Sequence, residues 1–337
     1  MPITAQEIAD LAGVSRGTVD RALKNRDGVK PQTKEKILEI AKKYNYKPNI
    51  IGKALVYSGK TVDVPVILNS VGNPFFDAVK DGILAAQDEY SGYGIKAHIK
   101  EFKGYDASKL LSILDGLPHD TAQIILTPIC DKTVEQKIQG LIDSGISVVM
   151  LTNKPENIKN ALYVGCDYIK SGRIAGQLTG LLSGGKANLF IVTGSSQHKG
   201  HAQRVDGIRE IILKEYPDIN IVGVSENLDD DDFAYSEMKK ILGKNPQIDF
   251  VYITAGGVDG TLRAIKEQPR KINVCTFDNT PAVRQALLNK RVSATICQQP
   301  FKQGFESVKA IYDSVIKKQK LKEDIYSELS IKIAQSL

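Results

Sequence analysis

Long apolar runs are missing from this 337-residue chain. None approaches the ~20 consecutive apolar residues that a bilayer-spanning helix needs, which excludes that kind of membrane protein. The opening residues, MPITAQEIADLAG, are polar and helix-periodic, unlike the charged-then-apolar pattern of a secretory signal, so the expected location is the cytoplasm. Cysteine is scarce: Cys130, Cys166, Cys275 and Cys297 lie far apart and form no CxxC pair. That spacing argues against a zinc site or a redox motif and for free thiols in a reducing compartment. No GxSxG or HExxH constellation is present. The expectation is a non-enzyme with neither a cofactor nor a metal.

Excess charge is also absent from most of the chain. Residues 1–60 hold 12 Lys and Arg against 6 Asp and Glu, whereas the remainder holds 33 of each, so the whole formal charge of +6 sits at the N-terminal end. A basic module on a neutral body is the electrostatic footprint of nucleic-acid binding.

The pattern within residues 1–48 predicts three helices. Ala5–Ala12 begins after Thr4, an N-cap with Glu7 three residues later, and carries Ile8 and Leu11 on one face. Gly13 permits a left-handed turn, Val14 packs beneath it and Ser15 caps Arg16–Leu23, whose inward residues are Val19, Ala22 and Leu23. A third helix over 31–44 contributes Ile37, Leu38, Ile40 and Ala41. Two short helices around a Gly-containing turn make a helix-turn-helix. After Pro48, the segment from Asn49 is just over two turns long and is weakened by Gly52, so in isolation it is a marginal helix.

IADLAGVS, TVDRAL, VKPQTKEKI, YNYKPN and the closing KAL together resemble the DNA-binding head of the lactose-repressor (LacI) family over its whole length. The resemblance implies that Arg16, Gly17 and Arg21 face base edges in the major groove, where arginine can bond bidentately to guanine. Thr4, Ser15, Thr18, Tyr46 and Asn49 take phosphate positions. It implies a hinge over 49–61, with Leu55 wedging into the minor groove beside Lys53 and Ala54 when two copies meet on DNA. A flexible linker with Leu55 packed on the body is the other reading of that segment. Asp20 stands where the family commonly has Ser; it can brace Arg16 or accept from cytosine. The implied partners are a pseudo-palindromic operator and a second copy of the chain.

From residue 62 to 337, short apolar strands alternate with amphipathic helices. Strands are predicted at 64–68, 122–127, 148–151, 188–192, 249–253, 272–277 and 293–297, with helices such as Phe75–Tyr90, 133–144, 170–182, 204–216 and 302–318 between them. This alternation predicts a two-lobed α/β body, each lobe a mostly parallel sheet with helices on both faces. Asn73-Pro-Phe-Phe, Arg204-Val-Asp-Gly, Thr276-Phe-Asp-Asn-Thr-Pro and Ile296-Cys-Gln-Gln-Pro resemble the periplasmic ribose-binding type of fold. That fold holds its ligand between lobes at strand carboxyl ends, with the chain crossing three times, here near Asp167, Pro300 and Tyr326. The implied effector contacts are Asn73, Phe75, Phe76, Thr127, Arg204, Asp229, Asp278 and Gln298. A phenylalanine ring can cover the apolar face of a sugar, and the polar groups suit hydroxyls; alternatively Asn73-Pro74 caps a helix and the phenylalanines are core. Thr152-Asn153 replaces an Asp-Arg pair, and Thr254-Ala-Gly-Gly replaces Asn-Asp. Thr152, Asn153 and Thr254 are thus further candidates for a ligand other than ribose.

Other features carry less. Residues 180–187 mimic a P-loop, but Ala187 replaces the magnesium-binding hydroxyl and the turn leads from helix to strand. His198 and His201 share a loop without a third metal ligand. The run 229–232 suits a solvated helix N-terminus. The resulting expectation is a repressor of a carbohydrate-utilisation operon that responds to a sugar, polyol or sugar derivative. A stand-alone solute-binding protein is the alternative, opposed by the basic head.

Overall fold

The computed structural model of the chain describes residues 3, 5–23, 28–44, 61–319 and 323–337. The N-terminal unit contains α1 (Ala5–Ala12), α2 (Arg16–Leu23) and α3 (Pro31–Lys43). Gly13 takes a left-handed φ of 71° in the turn between α1 and α2. Ser15 Oγ then accepts from the Thr18 backbone N–H at 3.2 Å, capping α2, and Lys36 Nζ donates to the Ala12 carbonyl at the end of α1. Ile8, Ala9, Ala12, Val19, Ala22 and Ile37 form the core. Leu11 and Leu38, expected inward, are exposed. On both helices the apolar stripe is completed by alanines, Ala9 and Ala12 on α1 and Ala41 on α3, and each leucine falls on its flank.

The body consists of two six-stranded sheets. Its strands are β1 (Val62–Leu68), β2 (Ile95–Glu101), β3 (Gln123–Leu126), β4 (Ser147–Leu151), β5 (Leu162–Gly165), β6 (Ala187–Thr193), β7 (Ile219–Glu226), β8 (Phe250–Ile253), β9 (Asn273–Phe277), β10 (Ala294–Cys297), β11 (Ile325–Tyr326) and β12 (Ser330–Lys332). The helices are α4 (Phe75–Tyr90), α5 (Ala107–Asp115), α6 (Lys132–Asp143), α7 (Tyr168–Ser183), α8 (Lys199–Glu215), α9 (Asp231–Lys244), α10 (Val258–Lys266), α11 (Pro281–Leu288) and α12 (Pro300–Val315). Strand order is β11-β5-β4-β3-β1-β2 in the first lobe and β12-β10-β9-β8-β6-β7 in the second. Pairing is parallel from β1 through β3, β4 and β5 to β11, and among β6 to β10; β12 is antiparallel to β10. In both sheets the order reverses around the first strand, which places a topological switch point at the strand carboxyl ends.

Burial follows from this layering. Leu189 and Ile191 of β6 enter one core with Phe250 and Tyr252, while Phe190 and Val192 enter another with Val251 and Ile253. Successive side chains point to opposite faces, and both faces are covered, so the strand reads as one continuous apolar run. The chain passes between lobes after β5, after β10 and between β11 and β12, near Asp167, Pro300 and Tyr326. Asp167 caps α7 by accepting from the Lys170 N–H at 2.9 Å.

Two glycines let α7 and α8 approach closely. A Cβ on Gly172 would lie 2.2 Å from the Arg204 carbonyl oxygen, and one on Gly207 would lie 2.4 Å from that of Ile169. This contact sets the position of Arg204. Gly184, left-handed at φ 64°, ends α7 and turns the chain toward β6, the helix-to-strand order opposite to a P-loop's. Among the described residues, no helix is long and apolar enough to cross a membrane, and no group of three or more His, Cys, Asp or Glu is placed to hold a metal. All four cysteines are free, and burial pushes the thiols of Cys166, Cys275 and Cys297 up to about 12.

Candidate functional site

The strand carboxyl ends of both lobes converge on one cavity. Of the expected contacts, Asn73, Phe75, Phe76, Thr152, Arg204, Asp229, Asp278 and Gln298 line it. Thr127, Asn153 and Thr254 do not. Asn153 is fully buried; its Nδ2 donates to the Pro128 carbonyl at 2.8 Å, and its Oδ1 accepts from the Lys199 N–H at 3.0 Å, fastening the first lobe to the start of α8. The Thr254 carbonyl accepts from Arg204 Nη1 at 2.5 Å, so Thr254 braces a lining residue from behind. Thr127 is buried at the end of β3.

Arg204 occupies the centre. It is 2% exposed, and its guanidinium lies 4.7 Å from the Tyr168 ring centroid and 3.9 Å from that of Phe277. Such desolvated cation–π contacts are worth about 2 kcal/mol. With Nη1 on Thr254 and Nε on Ser171 Oγ at 3.4 Å, Nη2 is left without a protein partner. Asp278 has a left-handed φ of 67°, an uncommon conformation for a non-glycine residue and one that marks functional sites. Its Oδ2 accepts from Gln298 Nε2 at 2.9 Å, and its Oδ1 is unpartnered. Burial drives its carboxyl up to about 6 despite the opposing pull of Arg204 and Gln298.

Thr152, also left-handed at φ 64°, offers its carbonyl to Tyr168 Oη at 2.6 Å and leaves Oγ1 unpartnered. His198 and His201 stack with centroids 4.3 Å apart. His201 Nδ1 accepts from the Ser195 N–H at 2.9 Å. Burial, reinforced by Arg204, lowers His201 to about 3, and burial together with His201 holds His198 well below its usual range. Both imidazoles are therefore neutral. Asn69 Oδ1, Thr152 Oγ1, His198 Nδ1, Arg204 Nη2, Asp278 Oδ1 and Gln298 Oε1 are all buried, lack protein partners and belong to residues lining the same cavity. Buried polar groups are normally satisfied; their convergence describes a site shaped for a small polar molecule.

Tyr105, Tyr168 and Phe277 also line the cavity and were not singled out in the sequence. His198 and His201 enter the cavity wall as a stacked pair, not as metal ligands. Their legible signal is position: Tyr168 opens the helix after the first crossing, and Phe277 ends the strand that presents Asp278.

In the N-terminal unit Ser15, Arg16, Gly17 and Arg21 are exposed and Thr18 is half-buried on or beside α2. Arg21 Nε donates to the Gly17 carbonyl at 3.1 Å. Thr4, Tyr46, Asn49, Lys53, Ala54 and Leu55 lie outside the described residues, as does the side chain of Asp20.

Two lobes with a polar cavity between them, on a chain that begins with a helix-turn-helix, define a ligand-binding transcription regulator. Residues 64–319 match the periplasmic binding protein domain family and residues 4–49 the bacterial regulatory proteins of the lacI family, and the chain belongs to these families. It is similar to catabolite control protein A of Priestia megaterium, at 24% identity over 83% of each chain. It is also similar to the ribose import binding protein RbsB of Salmonella typhimurium, at 22% identity over 81% of this chain and 90% of the relative. Among solved structures it resembles GanP, a glucose-galactose binding protein from Geobacillus stearothermophilus, with a TM-score of 0.76 and 21% identity over 82% of this chain and 99% of that one. The family is one of regulators, not enzymes.

Proposed function

We propose that the protein is a cytoplasmic repressor of a carbohydrate-utilisation operon, that it binds a pseudo-palindromic operator as a homodimer, and that its effector is a small sugar, polyol or sugar derivative held in the interlobe cleft. The observation carrying the effector half is the convergence of unpartnered buried polar atoms on a cavity that also presents Phe75 and Phe76. Hydroxyl groups can satisfy donors and acceptors alike, and a ring face can lie on an aromatic side chain. Arg204, Asp278 and Gln298 hold the hydroxyls in this reading, Asn73 and Thr152 flank them, and Asp229 closes one side. Asn153 and Thr254 position these groups. The relatives named for ribose and for glucose and galactose support the ligand class.

On the DNA side, Arg16 and Arg21 read bases, Gly17 permits close backbone approach, and Ser15 and Thr18 hold phosphate. One head covers a half-site, so two-fold protein symmetry mirrors operator symmetry. The proposed domain limits are 1–48, 49–61 and 62–337.

The test couples the two sites. A ligand found by thermal shift against sugars and polyols is titrated calorimetrically into free protein and into its operator complex. Linkage requires the two affinities to differ if the ligand regulates DNA binding. Asp278→Ala should reduce ligand affinity by roughly tenfold to a hundredfold, as expected when a buried hydroxyl loses its acceptor, while ligand-free operator affinity stays near wild type. Equal ligand affinity for free and DNA-bound protein refutes the regulatory reading.

A further inference from the structure

Helix N-termini at the edge of a cleft are ready-made anion sites, because their first N–H groups have no partner inside the helix. Here the protein's own oxygens take one of those donors at each of four helix starts. Asn73 Oδ1 accepts from Phe75 N at 3.1 Å at the start of α4, and Asn153 Oδ1 takes Lys199 N at 3.0 Å at the start of α8. Asp231 Oδ1 takes Gly260 N at 3.0 Å in the first turn of α10. Thr280 Oγ1 takes Val283 N at 3.4 Å in α11. Just before α10, Asp229 Oδ1 takes Gly256 N at 2.7 Å.

Charge along the cavity wall points the same way. Asp229, Asp231, Asp259 and Asp278 line it, against the single guanidinium of Arg204 and no lysine. Arg204 has one Nη1–H committed to Thr254 and its Nε–H to Ser171, so part of its fork is held by the protein and Nη2 alone has no protein partner, which narrows the two-pronged grip that makes arginine selective for carboxylates and phosphates. Beside it are two groups that can only accept: Asp278 Oδ1 and Gln298 Oε1. The orientation of the Gln298 amide follows from its Nε2, which donates to Asp278 Oδ2. An ionised oxygen placed there would face acceptors, whereas a hydroxyl can donate to them and accept from Arg204.

We propose that this cleft selects a hydroxyl-rich effector with no anionic group, and that it rejects the phosphorylated and acid forms of the sugar it binds. The inference rests on reading the cleft as a sugar or polyol site.

Calorimetry on the full-length protein tests it with matched probes: D-glucose, D-galactose, D-ribose and myo-inositol as neutral ligands, D-glucosamine as a cationic one, and the monophosphates and uronates of the same sugars. The expected result is that the tightest ligand is neutral or cationic and that its phosphate and acid forms bind at least about tenfold more weakly, since like-charge juxtaposition is strongly disfavoured away from water. A phosphate or uronate that binds more tightly than its parent overturns the inference and leaves the sugar reading standing. Silence across the whole panel, with operator binding intact, removes the sugar reading and the inference together. Asp278→Asn keeps the size of the side chain and removes its charge, so it should narrow the gap between a neutral ligand and its phosphate; an unchanged or wider gap counts against selection by this wall.

Discussion

Tyr105 Oη donates to Asp229 Oδ2 at 2.5 Å, joining the loop after β2 in one lobe to the loop before α9 in the other. Tyr105 is buried enough, and near enough to Asp229, that its hydroxyl stays protonated far beyond the usual range. Leu228 and Asp229 both adopt left-handed backbone, at φ 56° and 57°, which aims the carboxylate across the cleft. Beside this bond Lys103 Nζ reaches Asp230 Oδ2 at 3.1 Å, on a more exposed path. This part-buried bond is the stronger tie of the two, because exposed ion pairs contribute about 0–1 kcal/mol.

Tyr105→Phe removes that tie and leaves the ring. Ligand dissociation should accelerate by about threefold to tenfold, matching the loss of one hydrogen bond of ~0.5–1.5 kcal/mol, with little change in operator affinity without ligand. Stopped-flow dissociation measures the rate. An unchanged rate means that Tyr105 only fills space.

Gly207→Ala puts a methyl group against the Ile169 carbonyl. Forced separation of α7 and α8 should cost about 1–3 kcal/mol of stability and weaken ligand binding, since Arg204 sits one turn earlier on α8. Urea unfolding and calorimetry measure the two effects. Full stability with full affinity contradicts the close packing.

Acid should destabilise the body through its histidines. A histidine whose folded value lies far below its unfolded value of 6.5 binds a proton more readily when unfolded, so stability falls as pH drops from about 6.5 toward the folded value of about 3 for His201. His198 acts in the same direction. Asp278, raised from 3.8 to about 6, opposes them, favouring the folded state more as pH falls through that window. Two groups outweigh one, and the net expectation is a falling melting temperature between about pH 6.5 and 4. His201→Asn should flatten this slope. A slope unaltered by the change places the acid sensitivity elsewhere.

Arg21→Ala should lower affinity for the cognate operator by about 1–3 kcal/mol and relax preference at one base position. Binding-site selection on randomised DNA checks it. Uniform weakening across all sequences reassigns Arg21 to a phosphate.

Architecture was legible where burial is two-sided and the apolar run is long enough; β5, buried along its length but only four residues long and ending in Gly165, is absent from the expected strands. The run Leu189–Val192 reads as a strand because every residue meets a core on one face or the other. Edge strands were not legible: β2 and β7 lie at sheet edges and are mostly half-buried or exposed, so they lack an apolar signature. Within the site, Arg204, Asp278 and Gln298 stood out because their motifs combine a strand or helix end with polar chemistry. Thr254 and Asn153 share that position, yet protein partners use their polar groups, and sequence cannot tell a contact from its brace. Tyr105 was invisible for a different reason: its partner Asp229 belongs to the other lobe, and nothing local announces the pairing.

The three crossings carry a consequence for synthesis. The first lobe has its strands β1 to β5 once residue 165 is made, but α12, which packs on β3, β4 and β5, comes only at Pro300–Val315 and β11 at Ile325–Tyr326. The first lobe therefore stays open until the C-terminal segment is made, and β12 at Ser330–Lys332 completes the second lobe directly after it. While the second lobe is being translated, apolar side chains of the first sheet wait for their cover, the kind of surface that attracts chaperones and aggregation. A chain that stops before α12 is not a protein short of one helix but a half-built lobe, and premature termination ahead of Pro300 should leave little soluble product.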